Sequence, residues 1–137
     1  MGIPGRQLRT YVVEDSTVLL KRLADLLDEV GIDVVGHADN AVTAIREIAT
    51  MAPDVIIVDI ALRNGNGFDV LRAFAPKNGV RRPTPIVLSN YTAKPYRTAA
   101  QRLGVEYYFD KSSEIFTMLQ ILQSMARGIG LRNGSER

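Results

Sequence analysis

Glu14, Asp15, Asp59, Ser89 and Lys111 are far apart in the chain, yet each follows a short apolar run. RTYVV precedes Glu14-Asp15, VIIV precedes Asp59, PIVL precedes Ser89, and VEYYF ends two residues before Lys111. In an open α/β sheet, ligands bind outside the carboxyl ends of the strands. If these runs are parallel strands and the first neighbours the third, three carboxylates meet at one edge. Like charges that close are unfavourable, and a hard divalent cation relieves them. Mg²⁺ takes one or two carboxylates, retained waters and a phosphate oxygen. Asp59 then gains a second use, because a carboxylate can accept a phosphoryl group as a nucleophile. Such a transfer needs countercharge on the phosphoryl oxygens, which Lys111 and the cation would supply. Ser89 would hydrogen-bond one of those oxygens.

Taken singly, each residue has a plainer use. Acids such as Glu14 and Asp15 suit the start of a helix. Asp59 suits a turn, Ser89 a local cap, and Lys111 the surface. The joint placement after successive apolar runs is what selects the chemical reading. Other chemistries lack their residues. There is no cysteine, so disulfides, thiolate zinc sites and cysteine nucleophiles are excluded. His37 is the only histidine and reads as a strand-end residue. Gly65 and Gly67 are too few and wrongly placed for a phosphate-binding loop of the P-loop type.

The elements that must position these residues alternate. Strands are expected at 9–13, 33–37, 54–58, 85–88 and 105–109. The first helix, over 16–30, shows Leu19, Leu23, Leu26, Leu27 and Val30 on one face and stops at Gly31. Asn40 caps the second, whose inward face reads Ala41, Ile45, Ile48, Ala49 and Ala52. Asn64-Gly65 marks a turn before a third helix, which begins near Gly67 and carries Val70, Leu71 and Phe74. A fourth helix covers about 93–103 and stops at Gly104. A fifth starts near Ser112 or Ser113, faces Ile115, Met118, Leu119, Leu122, Met125 and Ala126 inward, and ends at Gly128 and Gly130. Alternation of this kind predicts an α/β fold, a five-stranded parallel sheet with helices on both faces. A central parallel strand is covered on both sides, so 55–58 is apolar throughout.

With 137 residues, the chain suits one domain, with a core over about 8–128 and loose ends at 1–7 and 130–137. Its 17 basic and 15 acidic residues leave a formal charge of +2, too mild for a nucleic-acid footprint. Met1 to Arg6 shows neither a signal peptide nor a myristoylation pattern. No apolar run approaches the roughly 20 residues of a membrane span. The expected location is cytoplasmic, with no membrane partner.

The sequence resembles the receiver domains of bacterial two-component response regulators, over about residues 8–128. The family's acidic pair falls on Glu14 and Asp15, its phosphoacceptor on Asp59 and its Ser/Thr on Ser89. Its aromatic switch residue falls on Tyr108, its lysine on Lys111, and the glycine closing the loop after the phosphoacceptor on Gly67. The resemblance implies a flavodoxin-like topology with strand order 2-1-3-4-5. It also implies Mg²⁺ held by Glu14, Asp15, Asp59 and the carbonyl of Ala61. Four positions depart from the usual pattern. Leu62-Arg63 stands where Met-Pro is frequent, Asn90 where a small residue is usual, and Ser112 where a cis proline is frequent. A trans bond is expected at Ser112, since a non-proline cis peptide costs about 2.5–4 kcal/mol.

The resemblance further implies a histidine kinase or histidine phosphotransfer protein as phosphodonor. With little chain beyond the fifth helix, a stand-alone receiver with a separate output protein is expected. That protein would meet the face of the fourth helix, fifth strand and fifth helix, where Lys94, Tyr96 and Arg97 lie. Such a domain contributes to its own phosphorylation and is not an enzyme with a separate substrate. Two other classes share part of this pattern. Phosphotransferases of the haloacid dehalogenase type need a second Asp two residues after the first, and that position is Ala61. A degenerate receiver binding partners without phosphorylation would not need the full set of acids, Ser and Lys.

Overall fold

The computed structural model describes residues 7–135. Five strands and five helices alternate along it: β1 Arg9–Val13, α1 Thr17–Glu29, β2 Asp33–Ala38, α2 Ala41–Met51, β3 Val55–Val58, α3 Gly67–Ala73, β4 Thr84–Ser89, α4 Lys94–Arg102, β5 Tyr107–Asp110 and α5 Ile115–Ser135. All strand pairs are parallel, and the order across the sheet is β2-β1-β3-β4-β5. This is the expected α/β fold, with strand ends within one or two residues of their expected positions. Among the described residues no peptide bond is cis, and no helix is long and apolar enough to cross a membrane.

β3 explains the layering. Ile56 and Val58 pack on one face of the sheet against Ala41, Ala44, Ile48, Val70, Leu71 and Ala100, from α2, α3 and α4. Val55 and Ile57 pack on the other face against Leu23, Leu27, Met118, Leu119 and Leu122, from α1 and α5. Successive strand residues point to opposite faces, so a strand covered on both sides must be apolar at every position.

The helix starts follow their caps. Ser16 accepts the Leu19 N–H at the head of α1, and Asn40 accepts the Thr43 N–H at the head of α2. Asn66 and Asp69 form a reciprocal capping box on α3. Two expectations for α2 are corrected. Ala49 is exposed and Ala44 is buried in its place, because the strip against the sheet runs through Ala41, Ala44 and Ile48 at helical spacing. Ala52 lies past the helix end, as an exposed cap in the left-handed region at φ 48°.

The end of α5 is also corrected. Gly128 and Gly130 do not stop it, and the helix runs on to Ser135. A glycine inside a helix costs about 1 kcal/mol relative to alanine, which weakens a helix without ending it. The glycines that follow α1 and α4 differ: Gly31 and Gly104 take left-handed φ values of 77° and 89°. The loose end expected at 130–137 is therefore helical as far as Ser135. Residues 1–6 and 136–137 lie outside the described part.

Candidate functional site

The sheet ladder continues past the strand ends and fixes the backbone of the expected site. Glu14 N–H donates to the Ala38 carbonyl, Asp59 N–H to the Val13 carbonyl, and Lys111 N–H to the Ser89 carbonyl, each at 3.0 Å. Val13 is level with Val58, and Val58 with Val87. Glu14 and Asp59 therefore emerge side by side from adjacent strands, on the same edge as Ser89 and Lys111.

Carboxylate oxygens of Glu14, Asp15 and Asp59 lie within 4.8 Å of one another. Glu14 and Asp59 are buried, and Asp15 is partly exposed. The Lys111 ammonium stands 2.6 Å from Asp59 Oδ2 and 2.8 Å from Glu14 Oε1. Two of the three clustered carboxylates thus pair with one ammonium in a largely dehydrated corner. Burial raises the Glu14 carboxyl above its ordinary range, against the pull of Lys111 and of the Ser16 N–H bonded to it. Burial works to lower Lys111, but its hydrogen bonds to Asp59 and Glu14 outweigh that and hold it above the ordinary lysine value. The donors are all hard oxygens, with the excess of negative charge that a divalent cation neutralises. The set fits Mg²⁺.

The second oxygen of Asp59 is held from its own loop, where Ala61 N–H donates to Oδ1 at 3.2 Å. Gly67 is buried where that loop returns to α3. A Cβ there would stand 2.3 Å from the Asp59 carbonyl oxygen, so no other residue fits without moving backbone. Ser89 is fully buried as the last residue of β4, and its Oγ accepts the Tyr91 N–H at 3.1 Å. The Tyr91 carbonyl in turn accepts the hydroxyl of Tyr108, on the neighbouring strand. One residue in the loop after β4, Tyr91, therefore joins Ser89 to Tyr108, through its N–H on one side and its C=O on the other. Nothing in the residue types around Tyr91 signals this link.

Arg97, expected on the partner-facing surface, is half-buried and also packs on Tyr108. Its guanidinium carbon lies 4.8 Å from the Tyr108 ring centroid, and its Nε donates to the Thr92 carbonyl at 2.8 Å. Lys94 and Tyr96 are exposed, and the Tyr96 ring meets Tyr91 at 5.1 Å between centroids. His37 is exposed at the end of β2, apart from the acidic group. Sequence reasoning also passed over the turn that carries Lys111, formed by Asp110, Ser112 and Glu114.

Comparison with known proteins places this geometry. A family model described as the response regulator receiver domain matches residues 10–123. An uncharacterized transcriptional regulatory protein, YvfU of Bacillus subtilis, is 30% identical over 88% of this chain and 60% of its own length. A protein-glutamate methylesterase/protein-glutamine glutaminase of Archaeoglobus fulgidus is 28% identical over 89% of this chain and 35% of its own length. The chain thus spans less than two thirds of the length of these relatives. Among solved structures, the response regulator domain of Thermotoga maritima CheB is 27% identical, with a TM-score of 0.70 over 96% of this chain and 100% of that one. The BeF3-activated receiver domain of Klebsiella pneumoniae RstA, 22% identical, shares the fold with a TM-score of 0.75 over 87% of this chain and 98% of that one. With its sheet order, its helices on both faces and a family match over most of its length, this chain belongs to the receiver domains of two-component response regulators.

Proposed function

We propose that this chain is a phosphorylatable receiver in which Asp59 accepts a phosphoryl group from a phosphohistidine. The donor is a histidine kinase or a histidine phosphotransfer protein. A carboxylate oxygen of Asp59 bonds to phosphorus as the phosphorus–nitrogen bond of the donor breaks. The electron pair of that bond leaves with the imidazole, and an acyl phosphate remains on the protein.

The observation that carries this reading is the position of Lys111, 2.6 Å from Asp59 and 2.8 Å from Glu14, with Asp15 in the same cluster. Mg²⁺ held by Glu14, Asp15, Asp59 and the Ala61 carbonyl would place positive charge opposite the transferred oxygens. Lys111 holds a second positive charge between Asp59 and Glu14. Ser89 hydrogen-bonds a phosphoryl oxygen once it gives up the Tyr91 N–H, and Tyr108 follows the Tyr91 backbone. The change reaches the face of α4, β5 and α5, where Lys94 and Tyr96 meet an output partner. The domain assists its own phosphorylation and turns over no other substrate.

Incubation with acetyl phosphate and Mg²⁺, followed by intact mass measurement, tests the proposal. One phosphoryl adduct is expected on the wild type and none on Asp59→Asn. A wild type that stays unmodified would favour a binding module working without phosphorylation. Equal labelling of Asp59→Asn would move the site elsewhere.

A further inference from the structure

Lys111 is the middle residue of a turn that is closed by side chains on both sides. The Asp110 carboxylate oxygen Oδ1 accepts the Ser112 N–H at 2.8 Å and the Ser112 hydroxyl at 2.6 Å. The Asp110 N–H donates to Glu114 Oε1 at 2.8 Å. The Asp110 carbonyl accepts the N–H groups of Ser113 and Glu114 at 3.3 and 2.8 Å. The backbone of Lys111 is tied to the sheet by its N–H, 3.0 Å from the Ser89 carbonyl. A lysine has four freely turning bonds, and its ammonium is aimed only as well as its Cα is held. Proline would fix the following φ and so restrict such a turn. Ser112 cannot do that, and the turn here is held by hydrogen bonds instead.

We infer that Asp110, through its paired hydrogen bonds with Ser112, is a positioning residue that aims Lys111 at Asp59 and Glu14. Asp110 does not touch the reacting atoms. It holds the Asp110–Ser112 turn in the one shape that presents the ammonium to both carboxylates. The inference rests on the receiver reading for its effect on rate, and on geometry alone for its effect on Lys111.

Two measurements test it. The first is the rate of phosphorylation by acetyl phosphate at saturating Mg²⁺. Asp110→Ala should slow it on the order of tenfold, less than the ~100-fold that a 1 Å misplacement can cost. Asp110→Asn keeps an acceptor oxygen and should restore most of the rate, and Ser112→Ala should fall between. In a Lys111→Ala background, Asp110→Ala should cost nothing further, because the residue acts through Lys111. The second is the ¹⁵N resonance of the Lys111 ammonium without metal or phosphodonor. It should be shielded from exchange in the wild type and Asp110→Asn, and exchange faster in Asp110→Ala. An unchanged rate and ammonium signal in Asp110→Ala, or an undiminished effect in the Lys111→Ala background, overturns the inference. If the wild type is not phosphorylated at all, the receiver reading fails, and the ammonium resonance alone then decides whether Asp110 aims Lys111.

Discussion

Lys111 Nζ lies 2.6 Å from Asp59 Oδ2, although 52 residues separate the two in the chain. The contact joins the carboxyl ends of β5 and β3, which are not neighbours in the sheet, across the intervening strand β4. Only a long, flexible side chain makes that reach. Without a cation, Lys111 is the partner that keeps Glu14 and Asp59 together.

Mg²⁺ should raise thermal stability, because a ligand of the native state stabilises it by about 2.7 kcal/mol at 100 times its dissociation constant. Asp15→Asn should weaken that response. In chelator, Asp59→Asn should melt higher than the wild type by about 1 kcal/mol, since it removes one of three clustered negative charges. Calorimetry with and without millimolar Mg²⁺ checks both. Identical melting of wild type and variant in both conditions would count against the cluster.

Glu14 sets a pH dependence in the metal-free protein. Burial lifts its native carboxyl above the ordinary value of 4.5, so over the window just above that value the native state holds more proton than the unfolded one. Stability contributed by this group is therefore full below 4.5 and is lost as pH rises through the native value. Denaturant midpoints of wild type and Glu14→Gln, measured in chelator between about pH 4 and about pH 7, should separate. The wild type should lose stability relative to the variant as pH rises. A constant difference would mean that burial does not penalise the ionised Glu14.

Gly67→Ala should destabilise by roughly 2–4 kcal/mol, because the new methyl group collides with backbone rather than a movable side chain. The collision is with Asp59 itself, so phosphorylation should slow as well. Urea denaturation measures the first effect and acetyl phosphate labelling the second. A variant with wild-type stability would show that the loop yields without cost.

Thr10 gives a prediction of opposite sign. Its hydroxyl is buried with no hydrogen-bond partner. Thr10→Val keeps the shape and removes the unsatisfied oxygen, so it should stabilise by about 1 kcal/mol. Urea midpoints at fixed pH decide the sign.

Ser89→Ala removes the acceptor of the Tyr91 N–H and so breaks the link to Tyr108. The variant should still be phosphorylated on Asp59, more slowly, while the NMR response of Tyr108 and α4 shrinks. A phosphoryl group shifts the two states only through contacts that differ between them. Equal shifts in wild type and Ser89→Ala would show that the signal leaves the site by another route.

The alternation of strands and helices, the both-faced burial of β3 and the edge shared by Glu14, Asp59, Ser89 and Lys111 were all legible in the sequence. These follow from local periodicity and from the rule that residues ending parallel strands share an edge. The order of the strands was not legible from periodicity and came with the family resemblance, because local pattern carries no information about which strands pair. The tertiary structure alone decided the finer points. Ala44 rather than Ala49 faces the sheet, because helix rotation is set by what packs beneath it. α5 passes Gly128, because a propensity cost of about 1 kcal/mol can be offset along a long helix. Arg97 lies over Tyr108, and Tyr91 ties that ring to Ser89 through its backbone N–H and C=O, groups that every residue type but proline possesses. Side-chain chemistry marks which residues can react. Which backbone atoms they find is fixed only when distant strands come side by side.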